Sequence, residues 1–125
     1  MTTKNDININ IDTAYLESQS VPENNQYVFS YTITIANVGS VAAKLLDRHW
    51  TITDANGKIE EVRGEGVVGE QPLLQPGEAF RYTSGAILET STGCMEGEYL
   101  MINDDKEHFM ANIPPFSLAV PNTLH

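Results

Sequence analysis

The stretch QYVFSYTITIAN, residues 26–37, decides the fold, because apolar and polar side chains alternate strictly along it. The apolar positions are Tyr27, Phe29, Tyr31, Ile33 and Ile35. A period of two places such side chains on one face of a β-strand. The serine and threonines between them suit a solvated face, and β-branched and aromatic residues favour a pleated surface. The stretch therefore predicts a half-buried strand.

The same kind of pattern recurs along the chain, beginning with DININID at 6–12. Further predicted strands are AKLLDRHWTITD (43–54), KIEEVR (58–63), EAFRYTSGAIL (78–88), EGEYLMIN (96–103) and HFMANI (108–113), with PFSLAV (115–120) as a last short strand. ANGK at 55–58 supplies an Asn-Gly hairpin turn. No window shows a clear helical period. Seven or eight short strands predict an all-β sandwich of the immunoglobulin-like or fibronectin type III-like kind, with a small barrel as the alternative.

The core of this sandwich is expected to centre on Trp50, the sole tryptophan, with Ile52 in phase on the same strand. A large aromatic ring gives the most burial for a single residue. The residues predicted to face inward are Ile9, Phe29, Ile33, Trp50, Ile52, Tyr99 and Phe109. We expect one domain over residues 1–125, with its core at roughly 5–120.

Composition narrows the class of protein. Hydrophobic residues make up 41% of the 125 residues, and the formal net charge is −10. Such a charge repels nucleic acid and anionic membranes and favours cationic partners. The N-terminus lacks an apolar signal region, and no apolar run approaches the length of a membrane span, so we expect a cytoplasmic protein. The single cysteine, Cys94, excludes an intrachain disulfide and is interpreted as a structural free thiol.

The segment VRGEGVVGEQP, residues 62–72, contains a literal G-x-G-x-x-G at Gly64, Gly66 and Gly69. In dinucleotide-binding enzymes this string opens a helix whose N-terminus holds the pyrophosphate. Pro72 and Pro76 make such a helix unfavourable here, and two glutamates within and beside the loop repel phosphate. We interpret it as a mobile or tightly turning loop whose glycines supply positive φ.

Two functional readings of this loop remain open. Its amides could form a small anion nest, helped by Arg63 and by Arg48. Alternatively, the loop recognises a protein partner.

No catalytic or metal site is predicted. The candidate ligands are Asp47, His49, Asp54, Cys94, Asp104, Asp105 and His108. None forms a closely spaced ligand pair, although Asp47 and His49 can share a strand face. Weak, adventitious Mg²⁺ or Co²⁺ binding is expected at the acidic turn 104–108. Ser84 lacks a nucleophile elbow, and the adjacent carboxylates of 60–61 and 104–105 point to opposite strand faces.

The sequence segments around the glycines resemble those of the ApaG family. The resemblance runs through RHWTITDANGKIEEVRGEGVVGEQPLLQPGEAFRYTSG (48–85), GCMEGEYLM (93–101) and IPPFSL (113–118). It implies a fibronectin type III-like β-sandwich, and it maps the glycines of the family to Gly64, Gly66 and Gly69. Two family names imply association with a dinucleoside tetraphosphate hydrolase and with cobalt and magnesium resistance. Related eukaryotic domains, in F-box proteins and a polymerase-associated protein, imply an interaction role. No catalytic residues carry over. The acidic DDKEH turn departs from relatives, which tend to have glycine there.

These observations predict a non-catalytic binding module with an unknown protein partner, no cofactor and no nucleic-acid ligand. Its link to Co²⁺/Mg²⁺ resistance is expected to be indirect. The alternative is a weak phosphate or pyrophosphate binder that uses Arg63, Gly64, Gly66 and Gly69. A hydrolase of phosphorylated dinucleotides is the weakest hypothesis. A homodimer through free sheet edges is a further expectation.

Overall fold

The alternating stretch at 26–37 forms the middle strand of a three-stranded sheet. The structure, a computed structural model, describes residues 3–121. Phe29, Tyr31, Ile33 and Ile35 are all buried, and the polar residues between them are half-buried on the outer face. The period of two therefore identifies the buried face correctly.

Eight strands and two short 3₁₀ turns make up the described chain. The strands are β1 (Ile7–Tyr15), β2 (Tyr27–Asn37), β3 (Ala43–Asp54), β4 (Ile59–Glu65), β5 (Leu73–Leu74), β6 (Ala79–Leu88), β7 (Thr92–Asn103) and β8 (His108–Ala119). The 3₁₀ turns are Glu17–Gln19 and Pro22–Asn24. No α-helix occurs in residues 3–121.

The strands form two antiparallel sheets packed as a sandwich. One sheet has the order β1-β2-β6, and the other has the order β4-β3-β7-β8, with β5 added beside β3. This corresponds to strands A-B-E facing C′-C-F-G, the immunoglobulin-like and fibronectin type III-like arrangement. The predicted fold class is confirmed, and the barrel alternative is wrong.

Trp50 is the central core residue. It lies on β3, the strand at which immunoglobulin domains also bury a tryptophan, and it is 2% exposed. Its ring packs edge-on against Tyr31, Tyr99 and Phe116, with centroid distances of 5.3, 6.4 and 5.8 Å. Of the predicted core, Phe29, Ile33, Trp50 and Tyr99 are buried, and Ile9, Ile52 and Phe109 are partly buried against the core.

The C-terminal strand differs from its prediction. HFMANI and PFSLAV are not two strands, because β8 continues through Pro114 and Pro115. The register shifts at this point, since Met95 pairs with Phe116 while Gly97 pairs with Ile113. An irregularity on an edge strand tolerates proline because the missing N–H groups are not needed by a neighbour.

The turn between β3 and β4 confirms the predicted hairpin. The Gly57 amide donates to the Asp54 carbonyl at 3.1 Å, and Gly57 has a φ of 83°. The Asp54 carboxylate accepts from the amides of Asn56 and Lys58, each at 2.9 Å. Only the glycine of the Asn-Gly pair is left-handed. Gly57 therefore supplies the one conformation that this turn requires.

None of the helices among the described residues is long and apolar enough to span a membrane. Cys94 is a half-buried free thiol on β7.

Candidate functional site: the glycine loop and its supports

The glycine loop, residues 64–72, contains a tight two-residue hairpin. The Val67 amide donates to the Glu70 carbonyl at 2.8 Å, and the Glu70 amide donates back to the Val67 carbonyl at 2.9 Å. Between them, Val68 and Gly69 have φ values of 44° and 83°. Positive φ at both central residues defines a type I′ turn, in which Asn-Gly is the usual pair. Valine at the first position is therefore a strained choice, because its branched Cβ disfavours the left-handed region.

Gly64 serves a different purpose from the turn glycines. It lies within β4 opposite Arg48, and it is absent from the positive-φ residues. A Cβ at position 64 would lie 2.7 Å from Cζ of Arg48. The absence of a side chain lets the guanidinium lie flat over the strand. The expectation of positive φ is thus correct for Gly66 and Gly69 and wrong for Gly64.

Arg48 fastens the loop from this position. Its Nη1 donates to the carbonyls of Glu65 and Gly66, at 3.1 and 2.8 Å. Hydrogen bonds from a charged donor are stronger than neutral ones. The guanidinium therefore fixes the point at which the chain leaves β4 for the turn.

The irregularity in β3 between Leu45 and Asp47 provides a second attachment. The Leu46 carbonyl accepts the Gly66 amide at 2.8 Å and the Gln71 side-chain amide at 3.0 Å. A Cβ on Gly66 would come within 2.3 Å of the Glu70 carbonyl oxygen, so this position excludes any side chain. Val67 is 0% exposed and belongs to the core. Of the two sequence interpretations, the tight turn is the one that these contacts favour.

No helix follows the glycines in residues 70–121. The Pro72 carbonyl instead accepts the Leu45 amide at 3.0 Å, and Leu73–Leu74 forms β5 beside β3. The helix N-terminus that a dinucleotide loop requires is therefore not formed here. The sequence expectation that Pro72 and Pro76 prevent it agrees with this course of the chain.

The two arginines suggested for an anion nest start from opposite faces of the sheet, yet both line one surface cavity together with Gly64. Arg48 is in phase with buried Trp50, whereas Arg63 pairs with His49 on the outer face. Arg63 is 72% exposed, and its Nη2 lies 3.8 Å from a Glu61 carboxylate oxygen. The loop amides of Gly66, Val67 and Glu70 already donate to backbone carbonyls. Among the described residues, the turn amides of Val68 and Gly69 have no hydrogen-bond acceptor. Anion binding by Arg63, Gly64, Gly66 and Gly69 stays a prediction.

A surface cavity of about 410 Å³ lies on the outer face beside the loop. The cavity brings together the sequence-predicted residues Arg48, Arg63 and Gly64. Its other polar residues are Asp47, His49 and Glu98, and its apolar residues are Leu100 and Met110. The two residues predicted to share a strand face, Asp47 and His49, do line the same cavity.

The His49 ring lies between two carboxylates on this face. Its Nε2 lies 2.9 Å from Glu61 Oε1, and its Nδ1 lies 3.5 Å from Glu98 Oε1. Both ring nitrogens therefore face protein carboxylates, which ties β3 to β4 and β7.

The candidate metal ligands are dispersed. Within residues 3–121, no group of three or more His, Cys, Asp or Glu side chains is placed to hold an ion. At the acidic turn, Lys4 Nζ lies 2.6 Å from Asp105 and 2.5 Å from Glu107. Hydrogen bonds to Asp105 first and to Glu107 second raise the pKa of Lys4, and the hydrogen bond from Lys4 lowers the pKa of Glu107. A lysine of the chain thus pairs with two carboxylates of this turn, and weak Mg²⁺ or Co²⁺ binding there stays a prediction.

Two buried tyrosine hydroxyls form a hydrogen bond that the sequence did not predict. The hydroxyls of Tyr82 and Tyr99 are 2.5 Å apart between the two sheets. Burial raises the pKa of both phenols, so both stay neutral. The nearby Arg48 charge acts in the opposite direction on each. The only earlier signal was the inward phase of both tyrosines along their strands.

Comparison with known proteins places the chain in a family. A family model described as the ApaG domain matches residues 17–103. The chain belongs to the ApaG family. The Protein ApaG of Thiobacillus denitrificans is 58% identical over 98% of this chain and 96% of its own length. That of Azoarcus is 60% identical over 89% and 87%.

A solved structure extends the agreement to three dimensions. The crystal structure described as that of an ApaA protein from Bordetella pertussis matches with a TM-score of 0.96 and 45% identity. It covers 98% of this chain and 100% of the other. The ApaG fold is therefore present over nearly the whole chain, and it includes the glycine loop.

Proposed function

We propose that this protein is a non-catalytic interaction module whose glycine loop contacts a protein partner. The observation that carries the proposal is the type I′ turn at Val67–Glu70. Val68 is 56% exposed although it is apolar, and it takes a backbone conformation that valine disfavours. Strained residues that the surroundings hold in place occur preferentially at functional sites.

The supports of the turn agree with such a role. Val67 is buried, the Gly66 amide is bonded to β3, and the Arg48 guanidinium holds two loop carbonyls. A pre-ordered loop loses little conformational entropy when it binds. Leu73, 54% exposed just beyond the loop, adds apolar surface. Exposed apolar residues on a rigid loop favour protein contact over ion or phosphate binding.

The family association with Co²⁺ and Mg²⁺ resistance is explained by an indirect role. On this proposal the protein acts by engaging a partner, and it does not bind or move the ions itself. Cobalt tolerance of a strain that lacks the protein should then be restored by the wild type but not by Val68→Asp.

Affinity capture from the native cytoplasm tests the proposal. The baits are the wild type, Val68→Asp and the control Ile59→Asp, which changes an isoleucine that is 65% exposed on β4. We expect one set of partners to be recovered with the wild type and the control and to fall at least tenfold with Val68→Asp. Equal recovery with all three baits would contradict a contact through the loop.

A second function, weak pyrophosphate binding, is favoured by one observation. The consecutive amides of Val68 and Gly69 have no described acceptor, and exposed Arg63 lies on the preceding strand. A few exposed N–H groups support a Kd of about 0.1–1 mM. Calorimetry with pyrophosphate should show binding that weakens with salt and in Arg63→Ala. Micromolar binding of NAD or ATP would overturn this reading of the glycines.

A further inference from the structure

The two sheets end in four edge strands, and three of them are protected against further pairing. On β8, Pro114 and Pro115 interrupt the regular register. On β4, four of seven residues are charged, in the sequence IEEVRGE. The first strand, β1, lies against β8 of the opposite sheet and carries asparagines and an aspartate on its outer face. Proline, charge, bulges and cover are the usual means of blocking a sheet edge.

The fourth edge, β6, is the least protected of the four. Its ten residues pair with β2 without a register shift, and they include no proline and a single charge, Arg81. Among the described residues, its backbone forms no hydrogen bonds except those to β2. Ile87 is 66% exposed on its outer face, beside the small residues Thr83 and Gly85. A long, regular edge with only one charge can accept another strand.

We propose that the free edge of β6 binds an extended segment of a partner protein as an added antiparallel strand. This extends the proposed interaction role to a second surface, on the sheet that does not carry the glycine loop. Main-chain hydrogen bonds would supply much of the affinity, and alternate side chains of the segment would supply specificity.

The charges around β6 indicate what the segment should carry. Glu78 and Glu89 flank the strand, and Glu60 lines the same gap between the sheets as Ile87. Lys58 pairs with Glu89 and is the only base near that end among the residues that line the gap. The whole chain has a net charge of −10. A segment with basic ends is therefore complementary to this edge.

The shape of the edge adds a second requirement. A Cβ built on Gly85 meets only the Phe29 carbonyl, at 3.4 Å, so the outer face is open there. A large side chain of the added strand can cover an edge glycine. A second copy of this chain fits less well, because antiparallel self-pairing brings the Glu89 end of one copy beside the Glu78 end of the other.

A designed peptide tests the proposal directly. The probe is KTVTYTVTVK, which has basic ends and a central tyrosine, titrated against the ¹⁵N-labelled full chain. We expect shift changes and slower amide hydrogen exchange along β6. The matched peptide with glutamate at both ends should bind at least tenfold more weakly. Changes scattered over both sheets, without protection of β6 amides, would overturn the proposal.

Two matched variants locate the contact. Ile87→Lys should weaken peptide binding at least tenfold, whereas Met110→Lys, at an exposed methionine on β8 of the other sheet, should leave it unchanged. Equal losses would reject β6 as the site. Sedimentation of the peptide-free chain adds a further check, since a dimer that Ile87→Lys dissociates would make a second copy the occupant and overturn the proposal. Val68→Asp should not alter peptide binding, so failure of the loop proposal and of this one can be told apart.

Discussion

Two glycine turns flank β4, and they depend on their surroundings to different degrees. The turn at Asp54–Gly57 is held by the Asp54 side chain and needs one left-handed residue, Gly57. The turn at Val67–Glu70 needs two, Val68 and Gly69. The first turn follows local sequence rules. The second places a valine where asparagine is preferred, and buried Val67 and the Arg48 contacts hold it there.

The largest expected effect is at Gly66. Gly66→Ala combines a φ of 65° with a Cβ only 2.3 Å from the Glu70 carbonyl oxygen. We expect a loss of about 3 kcal/mol or more in the free energy of unfolding, from left-handed strain and overpacking together. Urea denaturation measures it. Gly69→Ala, with nothing within 4 Å, is the control and should cost about 1–2 kcal/mol. Equal losses at the two positions would contradict the anchored loop.

The second-largest loss of stability is expected when the Arg48 contacts are removed. Arg48→Ala removes a charged donor from the carbonyls of Glu65 and Gly66, which should cost about 2 kcal/mol. Arg63→Ala, on the exposed outer face, should change stability by less than about 0.5 kcal/mol. Chemical denaturation of both variants compares the two arginines. A loss for Arg63→Ala as large as that for Arg48→Ala would show that the two positions are misassigned.

A smaller effect is expected in the first turn. Gly57→Ala adds a Cβ that meets nothing within 4 Å, at a φ of 83°. Only the backbone strain remains, about 1–2 kcal/mol as at Gly69. The thermal midpoint of this variant should therefore match that of Gly69→Ala and lie above that of Gly66→Ala. A Gly57→Ala protein as unstable as Gly66→Ala would remove the distinction between the turns.

Much of the fold could be predicted from sequence, because alternation is a local signal. The alternation correctly predicts which face of β2 is buried and where β3 begins and ends. The continuity of β8 through Pro114–Pro115 could not be predicted, since it depends on β7 pairing on one side and on an open edge on the other. The two-residue strand β5 exists only because Ala43 and Lys44 lie beside it.

The candidate site was predicted less completely. The glycines were visible, but the reason for Gly64 is an arginine on another strand. The sequence does carry one signal for Arg48: it lies two residues before Trp50 and so starts from the same face of the strand. The left-handed Val68 had no local signal, because tertiary anchoring overrides the residue preference.

The most direct test of the central claim exchanges residues between the two turns. Val68→Asn places the favoured residue in the left-handed position and should raise the free energy of unfolding by about 1 kcal/mol. Asn56→Val, at a residue without positive φ, should change it by less than about 0.5 kcal/mol. Urea denaturation of both variants beside the wild type provides the measurement. A Val68→Asn protein that is less stable than the wild type would contradict a strained, anchored turn that displays Val68.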